Sequence, residues 1–220
     1  MVDSITPEAR VKTGAERDRG LGSGKGPDCC RMSGRGFSGR RKLAVADIIL
    51  MGDSLVEFFD WQERFPGHRV FNLGLAGETV EGLLGRTAAI TASHSAPDFV
   101  FIMTGINNVA MEETGFIEPY AKIVRLLKSA FPAARIYVLS ILPTLLDWVA
   151  DGDLRRVNAA LKEMAEAEGA RYLDLYGTFK EGGLADYLLS DGVHLSEKGY
   201  AVWAREMEDI IKAEGAAGAF

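Results

Sequence analysis

VADIILMGDSL, residues 45–55, decides how the rest of the chain is read. Its first seven residues are a near-continuous apolar run, the pattern of a strand buried on both faces. Gly52 breaks the run, and Asp53-Ser54 stands where that strand gives way to a helix. A hydroxyl is thereby placed at the carboxyl end of a central strand.

Segments 69–73 (RVFNL), 98–104 (DFVFIMT), 135–142 (RIYVLSIL) and 171–175 (RYLDL) read as further buried strands. Helical spacing separates them over 79–92, 116–130 and 151–168, and a last helix is predicted over 196–214. Strand and helix alternate five times, which means a parallel sheet covered on both faces. The expectation is an α/β fold over 43–215: a three-layer α/β/α sandwich with a five-stranded parallel sheet in the flavodoxin-like order 2-1-3-4-5.

Composition agrees. The chain has 220 residues, 47% hydrophobic, 25% charged and 9% aromatic, values of a globular protein with one domain or two small ones. Lys+Arg number 25 against 31 Asp+Glu, a net charge of −6, so no basic surplus points to nucleic acid or an anionic membrane. No apolar run approaches the ~18–20 residues of a membrane span. No apolar leader is visible, so a cytoplasmic location is expected.

Residues 1–42 differ from the rest: eight glycines, one aromatic (Phe37) and a net charge of +5. Such a segment buries too little to offset its ordering entropy and is expected to be disordered, as are residues 216–220. Its composition favours an inert tail, or a true start at Met32, over an arm for an anionic partner. Both cysteines, Cys29 and Cys30, lie there, so residues 43–215 contain neither a disulfide nor a thiol nucleophile.

In a sheet of this order, chemistry gathers beyond the carboxyl ends of the strands. The residues there are Gly52-Asp53-Ser54-Leu55, the 74–79 turn with Gly77, Gly105-Ile106-Asn107-Asn108, the 143–148 loop, and Ser190-Asp191-Gly192-Val193-His194 before the last helix. A serine hydroxyl is a poor nucleophile until a base takes its proton. His194 is the candidate base and Asp191, three residues earlier, the candidate orienter of its other nitrogen. The N–H groups of Ser54 and Gly77 and the amide of Asn107 make a candidate oxyanion hole.

These blocks resemble the SGNH, or GDSL-type, hydrolases. The matches are Gly52-Asp53-Ser54-Leu55, Gly77 within the 72–79 segment, Gly105-Ile106-Asn107-Asn108 and Asp191-Gly192-Val193-His194, in order over about residues 45–213. Many members have Asp where Asn108 stands; Asn there is similar to the platelet-activating-factor acetylhydrolase-like branch. The resemblance implies a serine esterase with Ser54, Asp191 and His194 catalytic, Ser54, Gly77 and Asn107 holding the oxyanion, and no cofactor.

The expected partner is a small-molecule ester, with acetyl-type acyl groups favoured because the helical insertions are short. Lysophospholipase or thioesterase activity on longer chains is the alternative, and a non-catalytic flavodoxin-like binding module a remote one. Candidate substrate-binding residues are Asp53, Leu55, Asn108, Leu145, Leu146, Trp148 and Val193; for Asp53 a structural role on loop N–H groups is the stronger reading. Phosphate-binding glycine motifs are absent after every predicted strand. His68 and His94 read as solvated, and three dispersed histidines suggest no metal site. Oligomeric state is not legible.

Overall fold

The computed structural model describes residues 45–217, with side chains to residue 214. The expectations for residues 1–42, including Cys29 and Cys30, and for 218–220 lie outside the described residues, whereas residues 216 and 217, expected to be disordered with them, continue the last helix (Glu197–Ala217). All described residues belong to one compact unit, Lys42–Phe220.

Five parallel strands form one sheet in the order β2-β1-β3-β4-β5, as expected: β1 (Asp47–Gly52), β2 (Arg69–Gly74), β3 (Phe99–Met103), β4 (Arg135–Leu139) and β5 (Arg171–Leu173). The apolar run at 48–51 is fully buried, because β1 lies between β2 and β3 and is covered on both faces. The register pairs Gly52 with Gly74 on one side and with Met103 on the other. A Cβ on Gly52 would overlap the Met103 carbonyl oxygen, so only glycine lets the strands stay this close where the turn to Ser54 begins.

Three helices, α3 (Val80–Ser93), α5 (Ile117–Ala130) and α6 (Asp151–Ala167), pack in series as one layer. Right-handed crossovers put them on one face of the sheet. The other layer contains α1 (Ser54–Glu57), α2 (Trp61–Arg64), α8 (Leu184–Tyr187) and α9 (Glu197–Ala217). It is joined by an aromatic cluster in which Trp61 meets Trp203 edge-on at 4.8 Å and Phe59 stacks on Tyr200 at 4.3 Å. Thr79 caps α3 by accepting from the Gly82 N–H, as a threonine just before a helix does.

Several expectations are corrected. β2 and β5 are half-exposed rather than doubly buried, because they are the sheet's edges. β4 stops at Leu139: the Asn158 side chain takes over both backbone groups of Ile141, accepting from its N–H at 2.8 Å and donating to its carbonyl at 2.9 Å. Leu175 opens α7 (Leu175–Glu181), capped by Asp174, instead of ending β5. The one-turn helices α2, α4 (Ile106–Ala110) and α8 were not foreseen, since four or five residues are too few to show a helical period.

Candidate active site

Ser54, Asp191 and His194 meet at the carboxyl rim of the sheet. His194 Nε2 lies 3.0 Å from Ser54 Oγ, and His194 Nδ1 lies 2.8 Å from Asp191 Oδ2. The other Asp191 oxygen accepts from the Val193 and His194 N–H groups, both at 2.9 Å, so the loop is wound around one carboxylate. The bond from the Val193 N–H, then the one to the imidazole and the one from the His194 N–H, hold the Asp191 carboxyl down at about 2. A hydroxyl, an imidazole and a carboxylate in this series can carry a proton away from the hydroxyl.

Ser54 is the first residue of α1, and Asp53 is its N-cap, accepting from the Leu55 N–H at 3.0 Å. The serine is buried at the rim. Its helix is a single turn, too short for a sizeable dipole, so local N–H groups rather than a macrodipole supply positive potential. The Ser54 and Gly77 N–H groups have no acceptor among the described residues. Gly77 sits at φ +75°, a left-handed conformation that favours glycine, while the space beside it is open. Asn107 Nδ2 donates to the Glu78 carbonyl at 2.9 Å, which ties it to the Gly77 turn and leaves its second hydrogen free to act as donor.

The candidate substrate-binding residues divide. Asp53 is fully buried, its Oδ2 has no hydrogen-bond partner, and burial pushes its carboxyl up to about 7. It is a structural cap and does not face substrate. Leu55 is core, and its carbonyl accepts from Tyr200 Oη–H at 3.0 Å. Asn108 is 1% exposed and committed to α3: Oδ1 accepts from the Val80 N–H at 2.9 Å, and Nδ2 donates to Glu81 at 2.8 Å. These three corrections share a cause, since each residue follows a strand but turns inward under the rim.

Leu145 and Trp148 are exposed, whereas Leu146 and Val193 are half-buried against the core. The Leu145 N–H donates to the Gly192 carbonyl at 2.8 Å, which joins the 143–148 loop to the histidine loop. His68 and His94 are not simply solvated: His68 Nδ1 accepts from the Ala46 N–H, and His94 Nδ1 contacts the Ile90 carbonyl while its ring meets Phe71 edge-on at 4.9 Å.

Sequence reading missed Phe58, whose ring lies 5.4 Å from the His194 ring and is exposed. Its position four residues after Ser54, on the same face of a helical turn, was the available signal. It also missed the exposed Leu189, whose N–H donates to the His194 carbonyl at 2.7 Å, and the acidic anchors of the Gly77 turn. Glu57 accepts from the Ala76 N–H at 2.5 Å, and Glu78 pairs with Arg86. Among the described residues no helix is long and apolar enough to cross a membrane. Nor do three or more His, Cys, Asp or Glu side chains there come together as metal ligands could.

The fold is shared with known proteins. Platelet-activating factor acetylhydrolase IB subunit alpha2 of Homo sapiens is 27% identical over 179 residues, covering 75% of this chain and 76% of that one. The structure of a GDSL-like lipase from Bacteroides thetaiotaomicron superposes with a TM-score of 0.61 at 23% identity, over 77% of this chain and 89% of the other. The acetylxylan esterase Axe2 of Geobacillus stearothermophilus gives 0.60 at 22%, over 77% and 96%. The GDSL-like lipase/acylhydrolase family matches residues 50–202, from within β1 into α9 and across every rim segment that holds the site. The chain therefore belongs to the GDSL-like lipase/acylhydrolase family and is a carboxylic ester hydrolase.

Proposed function

We propose that the chain hydrolyses short-chain, acetyl-type carboxylic esters through an acyl-Ser54 intermediate. The observation that carries the reading is the unbroken series from Ser54 Oγ to His194 Nε2 at 3.0 Å and from His194 Nδ1 to Asp191 at 2.8 Å. His194 takes the Ser54 proton as Oγ attacks the ester carbon. The carbonyl electron pair moves onto oxygen, which the Ser54 and Gly77 N–H groups and the Asn107 amide receive. Collapse expels the alkoxide, which collects the proton from His194. Water then repeats the sequence on the acyl-serine and releases the acid.

Two observations favour a short acyl group. The apolar side chains near the site, Phe58, Leu145 and Trp148, are 60%, 53% and 64% exposed and form no deep enclosure. Proteins similar to this chain are named as acetylhydrolase and acetylxylan esterase. The same exposed groups, with Leu75 and Leu189, give the longer-chain reading its one support, since a long acyl chain could lie across them.

A p-nitrophenyl ester series from acetyl to decanoyl, measured below micelle formation alongside Ser54→Ala, separates the readings. Turnover peaking at acetyl to butyryl and lost in Ser54→Ala is the expected result. Octanoyl esters turning over about tenfold faster than acetyl would move the assignment to a lysophospholipase or thioesterase, because each buried methylene can contribute about 0.8 kcal/mol.

A further inference from the structure

Arg86 lies on α3, two turns into the helix and outside every motif that marks the site. Its guanidinium reaches back along α3 to three parts of the rim. Nε donates to Glu78 Oε1 at 2.6 Å and Nη2 to Glu78 Oε2 at 2.6 Å, a fork on one carboxylate. The same Nη2 reaches the Leu73 carbonyl at 2.7 Å and the Gly52 carbonyl at 3.4 Å. Leu73 is at the end of β2, and Gly52 ends β1 one residue before Asp53 and two before Ser54.

Glu78 is held on every side. It is buried, its N–H donates to the Leu75 carbonyl at 3.1 Å, its own carbonyl accepts from Asn107, and its carboxylate is occupied by Arg86. Gly77, whose N–H is free among the described residues, directly precedes it. We infer that Arg86 is a positioning residue for ester hydrolysis. Acting through Glu78, it fixes the Gly77 N–H relative to the strand that delivers Ser54, and so presets the spacing of the oxyanion donors.

A partly buried ion pair is a weak source of net stability, so a stabilising role alone explains little of why one stands here. A planar fork sets distance and angle together, which the point charge of a lysine cannot. The inference rests on the serine mechanism proposed above.

The test is Arg86→Lys, with Glu78→Gln as the milder variant, each checked for folding by circular dichroism. Two quantities are read: kcat and KM for p-nitrophenyl acetate, and Ki for an aryl trifluoromethyl ketone. With that inhibitor Ser54 Oγ bonds to the ketone carbon, its proton passes to His194, and the carbonyl electron pair becomes an alkoxide in the oxyanion position. A misplaced donor costs up to roughly 10²-fold in rate. Arg86→Lys is expected to lower kcat by about 30- to 100-fold, hold KM within about threefold, and raise Ki by the same factor as kcat falls. Glu78→Gln is expected to do the same by about tenfold.

A kcat within about threefold of wild type in folded Arg86→Lys, or a fall in kcat with Ki unchanged, overturns the inference. If Arg86→Lys does not fold, Glu78→Gln decides by the same two criteria. Ser54→Ala, run in parallel, keeps the two readings apart. If it still hydrolyses the ester, the serine mechanism and this inference fall together; if it is inactive and Arg86→Lys is unaffected, only the inference falls.

Discussion

Asp191 grips His194 twice, by the imidazole through Oδ2 at 2.8 Å and by its backbone N–H through Oδ1 at 2.9 Å. The carboxylate therefore orients the ring and also shapes the loop that presents it. His194→Ala is expected to reduce kcat by roughly 10⁶-fold and Asp191→Asn by about 10⁴-fold, with the proposed oxyanion donors intact in both. Steady-state kinetics with p-nitrophenyl acetate gives the ranking. Wild-type turnover in Asp191→Asn would mean that another group orients His194. As the Asp191 carboxyl lies at about 2, below its ordinary 3.8, its stabilisation is present above pH ~4 and lost as pH falls towards 2. Its solvent exposure keeps that contribution small.

Asp53 has the opposite sign. Burial, opposed by the Leu55 N–H and by His194 and reinforced by Glu78, raises its carboxyl from 3.8 to about 7. Between those values the folded state binds the proton more tightly than the unfolded chain. The stability Asp53 contributes is thus present at low pH and lost as pH rises towards 7, at no more than about 1.4 kcal/mol per pH unit. Asp53→Asn keeps an acceptor for the Leu55 N–H and removes the titration. Urea unfolding at intervals from pH 4.5 to 8 should show wild type losing stability relative to the variant as pH rises. Parallel curves would mean that Asp53 does not titrate in this range.

Asn108 is expected to matter for stability more than for binding. Asn108→Ala strands the buried Val80 N–H, whereas the exposed Glu81 regains water. The cost should be about 1–3 kcal/mol, set chiefly by that one N–H. KM for p-nitrophenyl acetate should hold within about twofold, by the ordinary size of effects away from a binding surface. A tenfold rise in KM on folded protein would return Asn108 to the substrate site.

Leu145 and Trp148 should show the reverse pattern. They are 53% and 64% exposed, so Leu145→Ser and Trp148→Ser should change stability by no more than about 0.5 kcal/mol. If they receive the acyl group, kcat/KM for butyrate should fall about three- to fourfold further than for acetate for each methylene left unburied. Equal losses on both esters would place the acyl chain elsewhere.

The central strands were legible because β1 and β3 are covered on both faces and so carry no polar alternation. Ser54, Asp191 and His194 were legible because they stand in a fixed chain order, one just after β1 and two in the loop before α9. What escaped the sequence was direction. Ser54 and Leu55 are neighbours, yet one reaches His194 and the other enters the core. Asn107 and Asn108 likewise diverge, one to the Gly77 turn and one to α3. Adjacent residues on a one-turn helix point about 100° apart, and which of them faces the rim depends on packing that no local pattern records. Arg86 was illegible for a related reason: its partners are a side chain eight residues back and the carbonyls of two separate strands.

Ser54 and His194 are separated by 140 residues and joined by one hydrogen bond. Ser54 comes from the first strand–helix unit and His194 from the loop leading into α9, so the proposed reaction centre exists only once the two ends of the domain have docked through Trp61, Tyr200 and Trp203. Ester turnover is for this reason a reporter of finished folding. During refolding it should appear no earlier than the step that seats α9. Two fragments cut in the exposed 111–113 turn would each be silent and would signal, on mixing, that the halves had found one another.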